Sequence, residues 1–313
     1  MPKRTRPRAG SLQFWPRKRA AKLLPSANWR PISSKEEGFL GFIVYKAGMA
    51  TAAVKDLTEK SMTQNKQITI PVTILEAPPM KIYSVRFYKH GKVLTEIQVA
   101  ADKELKKKVR LSKTPKNLTN APEDYEDIRV IVYTLPKKTK IKKTPDLIEL
   151  AIQSDNKLEF VKKFIGKEIT LSDFVKTDLV DVRGVTKGKG IQGPIKRFGA
   201  TLRFHKSEKG VRKIGSIGPW HPARVTFRVP MAGQMGYHSR LAYNLKIISY
   251  GKIAEKDINP KGGFSNYGKI ISSFIILKGS VPGPAKRQIL ITPSFRPSKL
   301  QSKKKFEFLE VLQ

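Results

Sequence analysis

Residues 183–240 make up nearly sixty positions that cannot build a core of their own. Ten glycines and four prolines punctuate the stretch, thirteen Lys and Arg stand against one acidic residue, Glu208, and apolar residues recur at neither helical nor strand spacing. A segment this long with so little apolar patterning becomes ordered only against something else. Its charge says what that something is: a polyanion.

The rest of the chain sharpens the point. Of 313 residues, 62 are Lys or Arg and 25 Asp or Glu, a formal charge of +37. Residues 1–35 carry ten basic and no acidic side chains, whereas 36–182 hold 26 basic and 20 acidic ones. The charge is therefore segregated along the chain, with near-balanced segments between strongly basic ones. Hydrophobic residues at 39% suffice for one large or two smaller cores. The absence of cysteine excludes a disulfide scaffold, a zinc ribbon and a thiol nucleophile. The longest apolar run, Ile270–Leu277, falls far short of a membrane helix, and the basic N-terminus lacks the apolar core of a secretory signal. Nucleic acid is the expected partner, with an anionic membrane surface as the alternative.

The balanced segments read mostly as strand. Phe39–Tyr45 is aromatic and β-branched, Gln67–Glu76 alternates around Ile68, Ile70, Val72 and Ile74, and Met80–Tyr88 carries Ile82, Val85 and Phe87. Pro71 predicts an edge strand or a bulge. His90-Gly91-Lys92 predicts a turn into Val93–Val99, and Ile128–Tyr133, Leu245–Ser249, Ile270–Leu277 and Gln288–Ile291 complete the set. Helix is expected between Thr144 and Phe174. Thr144-Pro145-Asp146 would start one, with Leu147, Ile148 and Ala151 on one face. Asp155 would cap a second, running through Leu158, Val161, Phe164 and Ile165 to Gly166, and Leu171–Val175 would add a turn. Short strands punctuated by Gly and Pro predict a mainly β fold: a barrel with a small α/β insert and long basic extensions.

The basic segments read differently. Five prolines exclude a continuous helix in residues 1–35, where Arg17-Lys18-Arg19 stands beside Trp15, and Trp29 beside Arg30. Two readings are open: a basic strand whose indoles stack on unpaired bases, or a disordered tail or targeting patch. In the central stretch, Trp220 and His221 sit between Pro219 and Pro222 as a stiff apex. Either the apex reaches into a nucleic acid, or Trp220 anchors the loop on the barrel.

Enzymatic readings find little support. Gly188–Gly193 matches G-x-G-x-x-G after a strand candidate, Leu179–Val185, but Pro194 and Gly199 follow and no helix pattern does. His90, His205, His221 and His238 lack metal-ligand spacing. Glu123–Asp127 reads as a solvated turn. No catalytic residue, cofactor, metal or small-molecule substrate is expected.

The run Asp181-Val182-Arg183-Gly184-Val185-Thr186-Lys187-Gly188-Lys189-Gly190-Ile191-Gln192-Gly193, continued by Lys196-Arg197-Phe198-Gly199, by Gly210–Val225 and by Met231–His238, resembles the signature of the universal large-subunit ribosomal protein L-three family. Gly10-Ser11-Leu12 and Pro16–Ala20 are similar to the start of its archaeal and eukaryotic members. The resemblance implies a translation-protein-type β-barrel, with parts at 39–90, 178–192 and 241–295. It also implies an α/β insert at 91–177, an N-terminal extension at 1–38, a central loop at 193–240 and a tail at 296–313. Its implied function is that of a structural protein of the cytoplasmic large subunit. Such a protein binds rRNA and neighbouring ribosomal proteins, without forming a homo-oligomer or touching a membrane, and helps nucleate subunit assembly. Trp220 and His221 would tip a finger approaching the peptidyl-transferase centre, influencing tRNA accommodation and elongation-factor binding. The residues expected on rRNA are Arg17, Lys18 and Arg19 in the arm and Lys187, Lys189, Lys196 and Arg197 at the loop base. Arg212, Lys213, Trp220, His221 and Arg224 join them at and near the apex, and Gln234, His238 and Arg240 on the return. Gln234 matches a glutamine methylated in some bacterial members. A modified histidine of other members is replaced here by Glu208, so that modification is not expected.

Overall fold

Alternating Val, Ile and aromatic runs pair into the large sheets, whereas the described part of the central basic run contributes a two-residue ladder, Ile191–Gln192 with Gly233–Gln234. The computed structural model describes residues 14–34, 36–112, 118, 121, 122 and 124–312. Gly10-Ser11-Leu12 and Glu123 lie outside the described residues. The chain divides into two units, Lys22–Val185 with Arg240–Gln313, and Met1–Ala21 with Thr186–Ser239.

The larger unit opens with strands β1 (Gly38–Phe39), β2 (Phe42–Asp56), β3 (Gln67–Ala77), β4 (Met80–Lys89), β5 (Lys92–Gln98), β6 (Asp127–Thr134) and β7 (Leu147–Gln153). Helices α1 (Lys157–Phe164) and α2 (Leu171–Phe174) and strand β8 (Leu179–Val185) follow. The smaller unit then carries β9 (Ile191–Gln192), helix α3 (Pro194–Phe198) and β10 (Gly233–Gln234). Strand β11 (Ser239–Lys252) leads back, and β12 (Ser273–Lys278), β13 (Gln288–Pro293), α4 (Lys299–Lys303) and β14 (Phe306–Leu312) complete the larger unit.

The mainly β class is as expected, but the large sheet is not a closed barrel. Seven strands run in the order β13-β8-β11-β12-β3-β2-β14, and β13 also pairs with β2. The 15-residue β2 explains why closure is partial. One of its edges takes β13 at Phe42–Tyr45 and β14 at Thr51–Asp56, so the sheet curls back on itself at one end and stays open at the other. A second sheet has the order β1-β7-β6-β4-β5. The main core lies between this sheet and the curled end of the first, with Phe42, Ile43, Met80, Phe87, Val130, Leu150, Val182 and Leu290 fully buried. A second cluster, including Val54, Ile74, Phe274 and Ile276, fills the large sheet's other end.

Several sequence expectations need correction. The helix expected after Thr144-Pro145-Asp146 is strand β7, antiparallel to both β1 and β6. Pro71 lies on a strand flanked on both sides, not at an edge. Its own position is nonetheless outside the β12 ladder, which begins at Val72, so no ladder bond is lost through its missing N–H. Trp29, read as a stacking group, is only 5% exposed and belongs to the main core. Its ring lies so close to Gly41 that a Cβ there would stand 3.0 Å from the indole.

The turn at His90-Gly91 forms as expected, and the cap of the second helix shifts by one residue. His90 and Gly91 both have positive φ, giving the two-residue turn that joins Lys89 to Lys92. Helix α1 forms with Asn156, not Asp155, as its cap: the Asn156 side chain accepts from the Glu159 N–H at 3.4 Å.

Candidate nucleic-acid interface

Backbone bonds and a few rings, not an apolar core, order the smaller unit. Thr186 N–H donates to the His238 carbonyl at 3.0 Å, and the Thr186 hydroxyl accepts from the His238 N–H at 3.1 Å. Lys189 N–H donates to the Met235 carbonyl at 3.0 Å and Met235 N–H to the Gly190 carbonyl at 2.8 Å, beside the short β9–β10 ladder. Gly236, at φ +73°, is the residue this crossing requires.

Helix α3 starts at Pro194 after Gly193 and stops at Gly199, which adopts φ +66°. This corrects the expectation that no helix follows the glycine-rich run. The run is still no dinucleotide site, because β8 lies antiparallel to β13 rather than in a parallel βαβ unit. The turn buries Phe198, and the N-terminal arm packs on that ring. The Arg17 guanidinium lies 4.5 Å from the ring centroid, the Arg197 guanidinium 5.1 Å, and Trp15 6.4 Å. Trp15 also meets Phe227 at 5.7 Å. The arm is tied down further where Ala20 N–H donates to the Tyr237 carbonyl at 2.7 Å. His238 Nδ1 stands 3.0 Å from the Lys18 carbonyl, which makes that nitrogen the protonated one.

The expected contact residues fall into two groups. Lys18, Arg19, Lys187, Lys189, Lys196, Arg212, Lys213, His221 and Arg224 are exposed, and Trp220 is 89% exposed. An indole that open does not anchor the loop. Arg17, Arg197, Gln234 and His238 are half-buried and bonded within the unit. Arg197 donates from Nε to the Gln234 carbonyl at 3.1 Å and from Nη1 to the Met231 carbonyl at 2.9 Å. Burial, reinforced by the neighbouring Arg17 charge, pushes its guanidinium below the ordinary value. The Gln234 amide donates to the carbonyls of Met235, at 3.2 Å, and Gly236, at 3.1 Å. Arg240 opens the larger unit on β11, half-buried.

Further out, Arg203 organises the loop before the apex. Its N–H donates to the Val211 carbonyl at 3.0 Å and its Nη2 to the Ile214 carbonyl at 2.5 Å. The sequence reading missed Arg203 as an organiser and Phe198 and Phe227 as packing rings. The available signal was that these are among the few aromatics in a stretch otherwise made of Gly and cations.

The smaller unit thus offers a cation-rich surface with one bare indole and, in its sequence, a single acidic residue, Glu208. The Ribosomal protein L3 family matches residues 1–111 and 92–311. The large ribosomal subunit protein uL3 of Methanocaldococcus jannaschii is 43% identical over 310 residues, covering 93% of this chain and 92% of the relative. Its counterpart in Methanococcus vannielii is 42% identical over 313 residues, 95% of this chain and 93% of the relative. That of Methanosphaera stadtmanae is 40% identical over 321 residues, 96% and 95%. These relatives are ribosomal proteins and not enzymes. With the family model matching residues 1–111 and 92–311 and similarity to these relatives running almost from end to end, the chain belongs to the ribosomal protein L3 family.

Proposed function

We propose that the protein is a structural constituent of the large ribosomal subunit in the cytoplasm, held there by large-subunit rRNA and by neighbouring ribosomal proteins. The larger unit is a rigid platform. The smaller unit is the RNA-facing part, whose cations neutralise phosphates and whose glycines let backbone approach the RNA. Binding early in assembly, it helps to nucleate the subunit. Trp220, carried at the apex, approaches the peptidyl-transferase centre and influences tRNA accommodation and elongation-factor binding.

One observation carries this reading: the residues with least core of their own hold the densest positive charge and the most exposed indole. Only a polyanion makes that combination favourable. The test is co-sedimentation. The protein is expected to remain on isolated large subunits through a moderate-salt wash, and its release into the supernatant would overturn the assignment.

A further inference from the structure

Within the smaller unit, Arg17, Thr186, Lys187, Lys189, Arg197, Met235, Gly236 and His238 line a cavity of about 340 Å³. Four of these are permanent cations, and they come from two parts of the chain, the arm at Arg17 and the loop base. No carboxylate lines the cavity. The unit's only acidic residue, Glu208, is exposed on the loop beyond Arg203. Like charges gathered this closely repel, and burial together with Arg17 depresses the Arg197 guanidinium. Backbone carbonyls and the Phe198 ring nevertheless hold them in place. The Met231 and Gln234 carbonyls fix Arg197, and the Phe198 ring lies under Arg17. His238 is fixed from Nδ1 by the Lys18 carbonyl, so Nε2 is the ring nitrogen left for a ligand.

We propose that this cavity is a preorganised seat for one backbone phosphodiester of the rRNA. Arg17 and Arg197 form its rigid wall, and the Lys187 and Lys189 ammonium groups close over it. The proposal rests on the reading that the chain binds rRNA, and adds where a single phosphate is gripped. The seat differs from the diffuse attraction of the surrounding cations. Its arginines are fixed before the ligand arrives, so little side-chain freedom is lost on binding. It also joins the arm to the loop, so an occupied seat locks the two together.

The test is a titration of the full-length protein with inorganic phosphate followed by phosphorus NMR, beside binding to a large-subunit rRNA fragment. The wild type is expected to show one saturable phosphate site. Lys187→Ala/Lys189→Ala keeps every backbone bond and should weaken that site about tenfold or more. Lys206→Ala/Lys209→Ala removes two exposed cations outside the cavity and should leave it within about twofold, since only long-range attraction is lost. Equal losses in the two variants, or no saturable site in a wild type that still binds rRNA, would overturn the seat and leave the wider reading standing. A wild type that fails to bind rRNA would remove both.

Discussion

Gly236 lies against the carbonyl of Lys187 so closely that a Cβ on it would stand 2.1 Å from that oxygen. The contact is backbone to backbone, in the crossing where Thr186 and Lys189 bond the returning strand, and φ at Gly236 is +73°. Gly236→Ala must therefore break the crossing, since neither side is a flexible side chain. The strained φ alone costs about 1–2 kcal/mol, and the overlap adds to it. Faster hydrogen exchange at the Lys189 and Met235 amides is expected, with the larger unit's amides unchanged.

Two tryptophans should respond in opposite ways. Trp29 is buried in the main core, and Trp29→Ala should cost about 3–5 kcal/mol in urea unfolding. Trp220 is 89% exposed, and Trp220→Ala should shift stability by no more than about 0.5 kcal/mol while slowing tRNA accommodation in assembled ribosomes. Normal accommodation kinetics in that variant would remove the role of the apex.

Asp56 gives the larger unit an acid-sensitive turn. Its carboxylate accepts from Thr58 N–H at 2.9 Å, Thr63 Oγ1 at 2.5 Å and Ser61 Oγ at 2.9 Å. The Thr58 bond, then the Thr63 bond, holds the carboxyl well below the usual range. Such a group adds stability above its unfolded value, about 3.9, and loses that contribution as the pH falls through the folded value. Asp56→Asn should lower the urea midpoint at pH 6, and the gap from wild type should shrink below about pH 4.

Glu76 is fully buried and accepts from the Ile271 and Ser272 N–H groups, each at 2.9 Å, from Ser272 Oγ at 3.0 Å and from the Tyr267 hydroxyl. Burial, then the Glu76 charge, pushes the Tyr267 hydroxyl far up, so it remains a donor. Tyr267→Phe should cost about 1–2 kcal/mol. Glu76→Gln should cost more, because it removes the negative charge on which these donors converge and sets an amide NH₂ against the Tyr267 hydroxyl, which must then accept instead of donate. A double-mutant cycle in urea checks the coupling.

Truncation separates arm from core. Removing residues 1–21 should make the salt dependence of rRNA binding shallower by roughly one unit per lost phosphate contact. Removing residues 1–35 should also lower thermal stability, because Ile32 and Trp29 leave the core.

Much of this was legible in the chain. The strands at Gln67–Ala77, Met80–Lys89, Asp127–Thr134 and Gln288–Pro293 follow directly from alternation and β-branching. Strand β7 reads as a helix because Thr144-Pro145-Asp146 imitates a helix start, although Ile148, Leu150 and Ile152 carry a strand's period of two. Strand β14 lies in a stretch that reads as a tail, since the alternation in Phe306–Leu312 gains meaning only from β2, far away in sequence. In the interface, the identity of the cations was legible, but their division of labour was not. Whether Arg197 faces outward or holds the scaffold depends on the Met231 and Gln234 carbonyls more than thirty residues away, and no local pattern encodes that.

The divided edge of β2 also sets a schedule. The ribosome that makes this chain releases β2 early, yet the stretch Thr51–Asp56 finds its neighbour on that edge only when Phe306–Leu312 has emerged, about 250 residues later. At roughly 5–20 residues per second, that edge stays bare for about 12–50 s of synthesis. A nascent chain in that interval exposes an unpaired strand beside a length of uncompensated positive charge, the time at which a chaperone has most to cover.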